Sequence, residues 1–192
     1  MKRAFRFVVL ALLALALSWL NAERAAAQEM LTLQNTRRNL HCASPFTWSD
    51  TLAAAAQQWA NACMREPNDP TRFAHSSPDS RPNQGENLAW GTGDFASAAS
   101  SVEQWYNEIR QYNFSAPGFS SATVHFTQMV WRSSTQLGCA MANCSGETLW
   151  VCRYSPAGNI NSPAQFQENV LPTTCSAAPS ITTILRAPAP LR

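Results

Sequence analysis

Apolar residues recur along the chain with two different periods, and the switch between them divides the sequence into elements. From Ser49, a residue suited to capping a helix, the segment TLAAAAQQWANAC places Leu52, Ala55, Ala56, Trp59, Ala62 and Cys63 at helical spacing. It predicts a helix with Cys63 near its buried end. After Gly93-Asp94, residues Phe95, Ala98, Ala99, Val102, Trp105, Tyr106 and Ile109 recur at i, i+3, i+4, i+7, i+10, i+11 and i+14, the strongest amphipathic signal in the chain. A weaker helical pattern runs from Glu29 to Asn39, and a short one carries Phe126 and Val130.

Between Gln136 and Tyr154 the period becomes that of strands. QLGCAMANC and ETLWVCRY flank Ser145-Gly146, which reads as an antiparallel hairpin closed by a tight turn. A turn centred between these two residues sets positions whose numbers sum to 291 opposite one another. Cys139 then faces Cys152, at a separation that a disulfide tolerates. Closing so short a loop is worth roughly 3 kcal/mol through the chain entropy removed from the unfolded state. The stretches 64–93 and 111–122, rich in Pro, Asn, Ser and Gly, read as long irregular loops held by disulfides. The sum is a mixed α/β chain without repeats.

With 192 residues, 45% of them hydrophobic and 14% charged, the chain can bury one sizeable core. Its formal charge of +2, however, depends on the first 27 residues. Lys2, Arg3 and Arg6, an apolar run from Val8 to Leu20 and Ala25-Ala26-Ala27 are the three parts of a secretory signal, with cleavage expected after Ala27. The run is shorter than the ~20 apolar residues that span a bilayer. Loss of Lys2, Arg3, Arg6 and Arg24 against Glu23 leaves 10 basic and 11 acidic residues, a net charge of −1. The remaining arginines are dispersed, so neither nucleic acid nor an anionic membrane surface is an expected partner. Past Cys175, Pro179, Pro188 and Pro190 lie among Ala, Ser and Thr, and residues 176–192 read as a disordered tail. The expected organisation is a signal at 1–27, one domain with a C-terminal extension at 28–175, and the tail. The expected product is exported, extracellular or periplasmic, without integral membrane association, and a monomer or weak dimer.

Six cysteines (Cys42, Cys63, Cys139, Cys144, Cys152 and Cys175) behind a secretory signal imply three disulfides, with fifteen pairings open. No C-x2-C is present, so a zinc ribbon is not indicated.

Three histidines remain for chemistry: His41, His75 and His125. His75 precedes Gly85-Glu86-Asn87-Leu88, His125 opens HFTQMVW, and Glu103 and Glu108 lie on the helix between. Two imidazoles and two carboxylates can form a divalent-metal site or an acid/base pair, although no H-E-x-x-H is present. On a helical wheel advancing ~100° per residue, Glu108 falls about 120° from the centre of the apolar face, the position of a solvated glutamate.

HFTQMVWRSS (125–134) and LWVCRYSPAGNI (149–160) resemble the two signature motifs of the CAP superfamily, the secreted cysteine-rich, antigen-5 and pathogenesis-related proteins. GENLAW (85–90), preceded by His75, and WYNE (105–108) resemble its other two motifs, so the likeness runs from about Glu29 to Ile160. It implies an α-β-α sandwich with a central cleft, into which a tetrad of His75, Glu86, Glu108 and His125 converges. The resemblance thus selects Glu108 over Glu103. It also implies a Cys63–Cys144 bridge, which leaves Cys42 and Cys175 to pair by elimination, with Cys42–Cys63 as the competitor.

Two departures stand out. Val124 occupies a position where the motif usually has Gly or a charged residue, and the cysteine pair that plant members carry in the preceding loop is missing from NFSAPGFSS (113–121). In this the chain is similar to the Golgi-associated and yeast branches, whose aromatic loop here is implicated in sterol binding. The first expectation is therefore a lipid- or sterol-binding protein using Tyr112, Phe114 and Phe119, the alternative being that these aromatics pack the loop onto the helix. The second is a zinc-dependent hydrolase or protease in which His75 and His125 hold the metal weakly and Glu86 or Glu108 acts as base. No activated Ser or Cys nucleophile is evident, and binding is favoured over catalysis. A third reading makes the tetrad a structural polar cluster.

Overall fold

The computed structural model describes residues 25–175. The expected tail and all but the last three residues of the expected signal lie outside this range.

Helix α1 spans 25–40. It is followed by β1 (Thr47–Trp48), α2 (Asp50–Ala62), β2 (Arg65–Glu66), β3 (Asp69–Phe73), β4 (Gly85–Gly91), α3 (Ala98–Asn107), α4 (Val124–Val130), β5 (Gln136–Cys144), β6 (Glu147–Ser155) and α5 (Pro163–Asn169). Four strands form one sheet in the order β1-β5-β6-β4, with β1 parallel to β5 and the other pairs antiparallel, while β2 and β3 form a separate two-stranded ribbon. The turn at Ser145-Gly146 has positive φ at both residues, the geometry that matches strand twist in a two-residue hairpin, and Cys139 pairs with Cys152 across it.

Alternation along β6 builds the layers. Leu149 and Val151 join Ala56 and Ala60 of α2 and Phe73 on one face. Trp150, Cys152 and Tyr154 join Met30 of α1, Val102 and Trp105 of α3 and Met129 of α4 on the other. The sheet is therefore sandwiched between α2 and the α1, α3 and α4 layer, the three-layer α-β-α arrangement. Ser49 caps α2 by accepting the Leu52 N–H at 3.3 Å. Helix and sheet approach so closely that a Cβ on Gly138 would stand 2.2 Å from the Ala53 nitrogen.

A third cluster joins Tyr112, Phe126, Val130 and Trp131 to Phe166 and Val170 in and beyond α5. Nearby, the buried Arg38 donates to the carbonyls of Ser44, Met129, Trp131 and Ser134 at 2.8–3.0 Å and so satisfies the end of α4. Disulfides join Cys42 to Cys175, Cys63 to Cys144 and Cys139 to Cys152. The competing Cys42–Cys63 bridge is not formed.

Three expectations are corrected. The stretch 64–93 is not one irregular loop, because it contains β2, β3 and β4. The helix expected to begin at Phe95 begins at Ala98, since the Ser97 hydroxyl accepts the Ser100 N–H at 3.1 Å and fixes the start there. Phe95 lies instead in a 3₁₀ turn (Gly93–Ala96) and is 68% exposed. Helix α5 was not expected at all.

Candidate functional site

Two imidazole–carboxylate pairs lie near one end of the sheet, each built by different elements. Glu86 comes from the start of β4 and His75 from the segment before it, with His75 Nδ1 at 2.8 Å from Glu86 Oε1. Glu108 stands where α3 tightens into a 3₁₀ turn (Glu108–Gln111), and His125 lies in the first turn of α4, its Nδ1 at 2.6 Å from Glu108 Oε1. The wheel set Glu108 off the apolar face and so read it as solvated, but its carboxylate is taken up by donors at the start of α4, a segment the wheel of one helix does not contain. Helix α4 begins at Val124, whose carbonyl accepts a 2.8 Å hydrogen bond from Asn159, so the departure at Val124 leaves a helical start intact.

Both carboxylates are crowded with donors. Glu86 Oε1 also accepts the Ser76 N–H at 2.9 Å, and Oε2 accepts the Ser76 hydroxyl at 2.9 Å. Arg153 Nε lies 2.8 Å from Oε2, but its N–H is not aligned for a hydrogen bond, so this contact is coulombic. Burial alone would raise the Glu86 pKa. The His75 hydrogen bond, the Arg153 charge and the two Ser76 bonds outweigh it and hold the group below the ordinary glutamate value. Glu108 Oε2 accepts the main-chain N–H groups of His125 and Phe126 at 2.9 and 3.0 Å, as a carboxylate at a helix start should.

The two pairs are tied by Asn87, next to Glu86, which donates to the His125 carbonyl at 3.0 Å and to the Tyr154 hydroxyl at 3.2 Å. Tyr154 donates in turn to Gln34 Oε1 at 3.0 Å, and the Gln34 amide faces the sulfurs of Cys139 and Cys152. Ser76, Asn87 and Arg153 were missed by sequence reasoning. The available signal was Arg153 itself, a charge inside the apolar strand LWVCRY, where it must be partnered.

The other candidates go elsewhere. Glu103 is paired at 2.7 Å with Arg37 on the surface between α1 and α3. His41 is fully buried: its Nδ1 bonds the Leu171 carbonyl, its Nε2 lies 3.1 Å from the Tyr106 hydroxyl, and the ring packs against Phe114 and Phe126. Of the expected ligand loop, Tyr112 is buried and stacks edge-on with Phe114 at 4.9 Å, and Phe114 is half-buried, both resting on Phe126. Phe119 is 54% exposed.

Toward a metal the two pairs offer imidazole nitrogens only, one from His75 and one from His125. Among the described residues, no group of three or more His, Cys, Asp and Glu side chains is arranged to hold an ion. Both carboxylates are occupied, while each histidine, with its Nδ1 engaged, has Nε2 as the remaining ring nitrogen. The side chains of His75 and His125 are 46% and 28% exposed, so the rings are open to solvent. Carboxylate-oriented imidazoles of this kind fit Zn²⁺, with the rest of its coordination left to other ligands.

A three-layer sandwich with paired His–Glu groups and three disulfides defines a class of cysteine-rich α-β-α domains. The chain belongs to the CAP family, the cysteine-rich secretory protein family, which it matches over residues 31–154. It is 39% identical over 154 residues to human Golgi-associated plant pathogenesis-related protein 1, covering 79% of this chain and 96% of that protein. To tobacco (Nicotiana tabacum) pathogenesis-related protein 1C it is 39% identical over 136 residues, covering 69% of this chain and 76% of that one. The crystal structure of NaASP2 with Zn²⁺ shares the fold at 23% identity and a TM-score of 0.58, over 71% of this chain and 82% of that chain.

Proposed function

We propose that the protein is an exported CAP-domain protein, monomeric or weakly dimeric, that binds a lipid or sterol-like molecule at the loop 112–119. On this reading His75 and His125 also hold a divalent metal, Zn²⁺ by donor type, weakly and without being needed for the fold. The observation that carries the ligand reading is Phe119, a large apolar side chain left exposed on a cysteine-free loop beside the packed Tyr112–Phe114–Phe126 stack. The fold and the three disulfides agree with export, and among the described residues no helix is long and apolar enough to cross a membrane.

Hydrolysis is less well supported. A general base needs a carboxylate free to take a proton from water, and both oxygens of Glu86 and of Glu108 already face donors. The test of the ligand reading is titration with the fluorescent sterol dehydroergosterol. Phe119→Ala should weaken binding by about tenfold or more, the scale of one buried aromatic side chain, while equal affinity in the variant would remove the loop from the site.

A further inference from the structure

Arg153 lies directly across from Glu86 in the β4–β6 register. Directly opposed residues share a face of the sheet, and here it is the face on which Leu149 and Val151 enter the apolar cluster against α2. Both side chains are essentially shut off from water, Glu86 completely and Arg153 to within 4%. A charge at such a position is costly unless its surroundings are arranged for it. They are: besides its contact with Glu86, Arg153 donates to the Ser76 hydroxyl at 3.0 Å and reaches Gln84 Oε1 at 3.4 Å. Ser76 meanwhile donates to both oxygens of Glu86. The carboxylate thus cannot turn without breaking contacts to two residues, and its Oε1 is held against His75 Nδ1.

An unconstrained neutral imidazole in water favours the Nε2–H tautomer, which has no lone pair at Nε2 for a metal. The tautomer adopted in a protein is set by the hydrogen bond that the other nitrogen makes. We propose that Arg153, acting with Ser76 through Glu86, is a positioning residue that keeps His75 in the Nδ1–H form and leaves its Nε2 as a bare donor atom. The inference rests on the metal reading only for the second of its two readouts.

The test uses the folded chain with Arg153→Met, Ser76→Ala and Arg153→Lys. The control is Glu147→Gln, which breaks the Arg65–Glu147 ion pair of 2.6 Å away from the site. The first readout is metal-free: ¹⁵N–¹H correlation of the His75 ring at pH 8. The wild type should show Nδ1–H, Arg153→Met and Ser76→Ala should shift it toward Nε2–H, Arg153→Lys should restore much of the Nδ1–H signature, and Glu147→Gln should leave it unchanged. The second is zinc titration, where loss of an outer partner should cost about 10–100-fold in affinity in the first two variants. A His75 ring that remains Nδ1–H in folded Arg153→Met and Ser76→Ala would overturn the proposal, as would a wild-type ring in the Nε2–H form. Should Arg153→Met not fold, Ser76→Ala decides alone. A wild type that binds no zinc ends the metal reading and leaves the tautomer result to judge Arg153.

Discussion

Three histidines meet three different sets of partners, and the partners assign their tasks. His75 and His125 each give Nδ1 to a carboxylate and keep their rings open to solvent, whereas His41 is sealed between the Leu171 carbonyl, the Tyr106 hydroxyl and the rings of Phe114 and Phe126. Burial pushes the His41 pKa below its ordinary value, against a smaller opposing effect of the Leu171 hydrogen bond. Its neutral form is therefore the one the fold accepts. As pH falls below about 6.5, the unfolded chain takes up a proton before the folded one does. The contribution of His41 to stability is complete above that pH, and is lost progressively until the folded histidine itself titrates. Urea denaturation at pH 7.5 and 5.5 should show this loss in the wild type, and a smaller loss in His41→Phe, which retains an aromatic ring in the cluster.

Among the elements, α2 and β5 meet main chain to main chain, and Gly138 permits it. Gly138→Ala should destabilise the protein by about 1–3 kcal/mol or more, the usual cost of overpacking, because the added carbon would meet main-chain atoms of Ala53 and Leu52 that cannot move alone. Equilibrium denaturation of the variant checks this. Elements with a strong local signal could be read from the sequence: α2 from its apolar stripe and Ser49 cap, the β5–β6 hairpin from the tight turn that sets its cysteines opposite one another. Strand β4 could not, because residues 85–89 are all buried and so carry no alternation. Helix α5 is only 7 residues long and offered little beyond Ser162-Pro163 as a start signal. At the site, His75, His125 and the neighbouring glutamates stood out by their sequence context, and motif resemblance joined them as a tetrad and chose Glu108 over Glu103; neither reports the partners of these residues. That Glu86 and Glu108 serve to orient and cap depends on contacts with Ser76, Arg153 and the main chain of α4, between segments far apart in sequence.

At the scale of the whole molecule, the bridge between Cys42 and Cys175 ties the end of α1 to the segment beyond α5, with a sequence separation of 133. Helix α5 and the segment after it supply Phe166 and Val170 to the cluster around Trp131, where Trp131 and Phe166 meet edge-to-face at 5.1 Å. Replacing Cys42 and Cys175 together by serine should cost about 2–4 kcal/mol in urea denaturation. The denaturation transition followed by tryptophan fluorescence should shift with it. A double variant as stable as the wild type would mean that apolar packing alone holds the C-terminal segment.

The three bridges also overlap along the chain, with Cys63–Cys144 inside Cys42–Cys175 and Cys139–Cys152 straddling Cys144. Any single backbone cut between residues 42 and 175 therefore leaves two pieces still covalently joined. An endopeptidase that nicks the exposed stretch around Phe119 releases no fragment, and the severed halves, bound at two bridges, keep the His75 and His125 pairs on one scaffold.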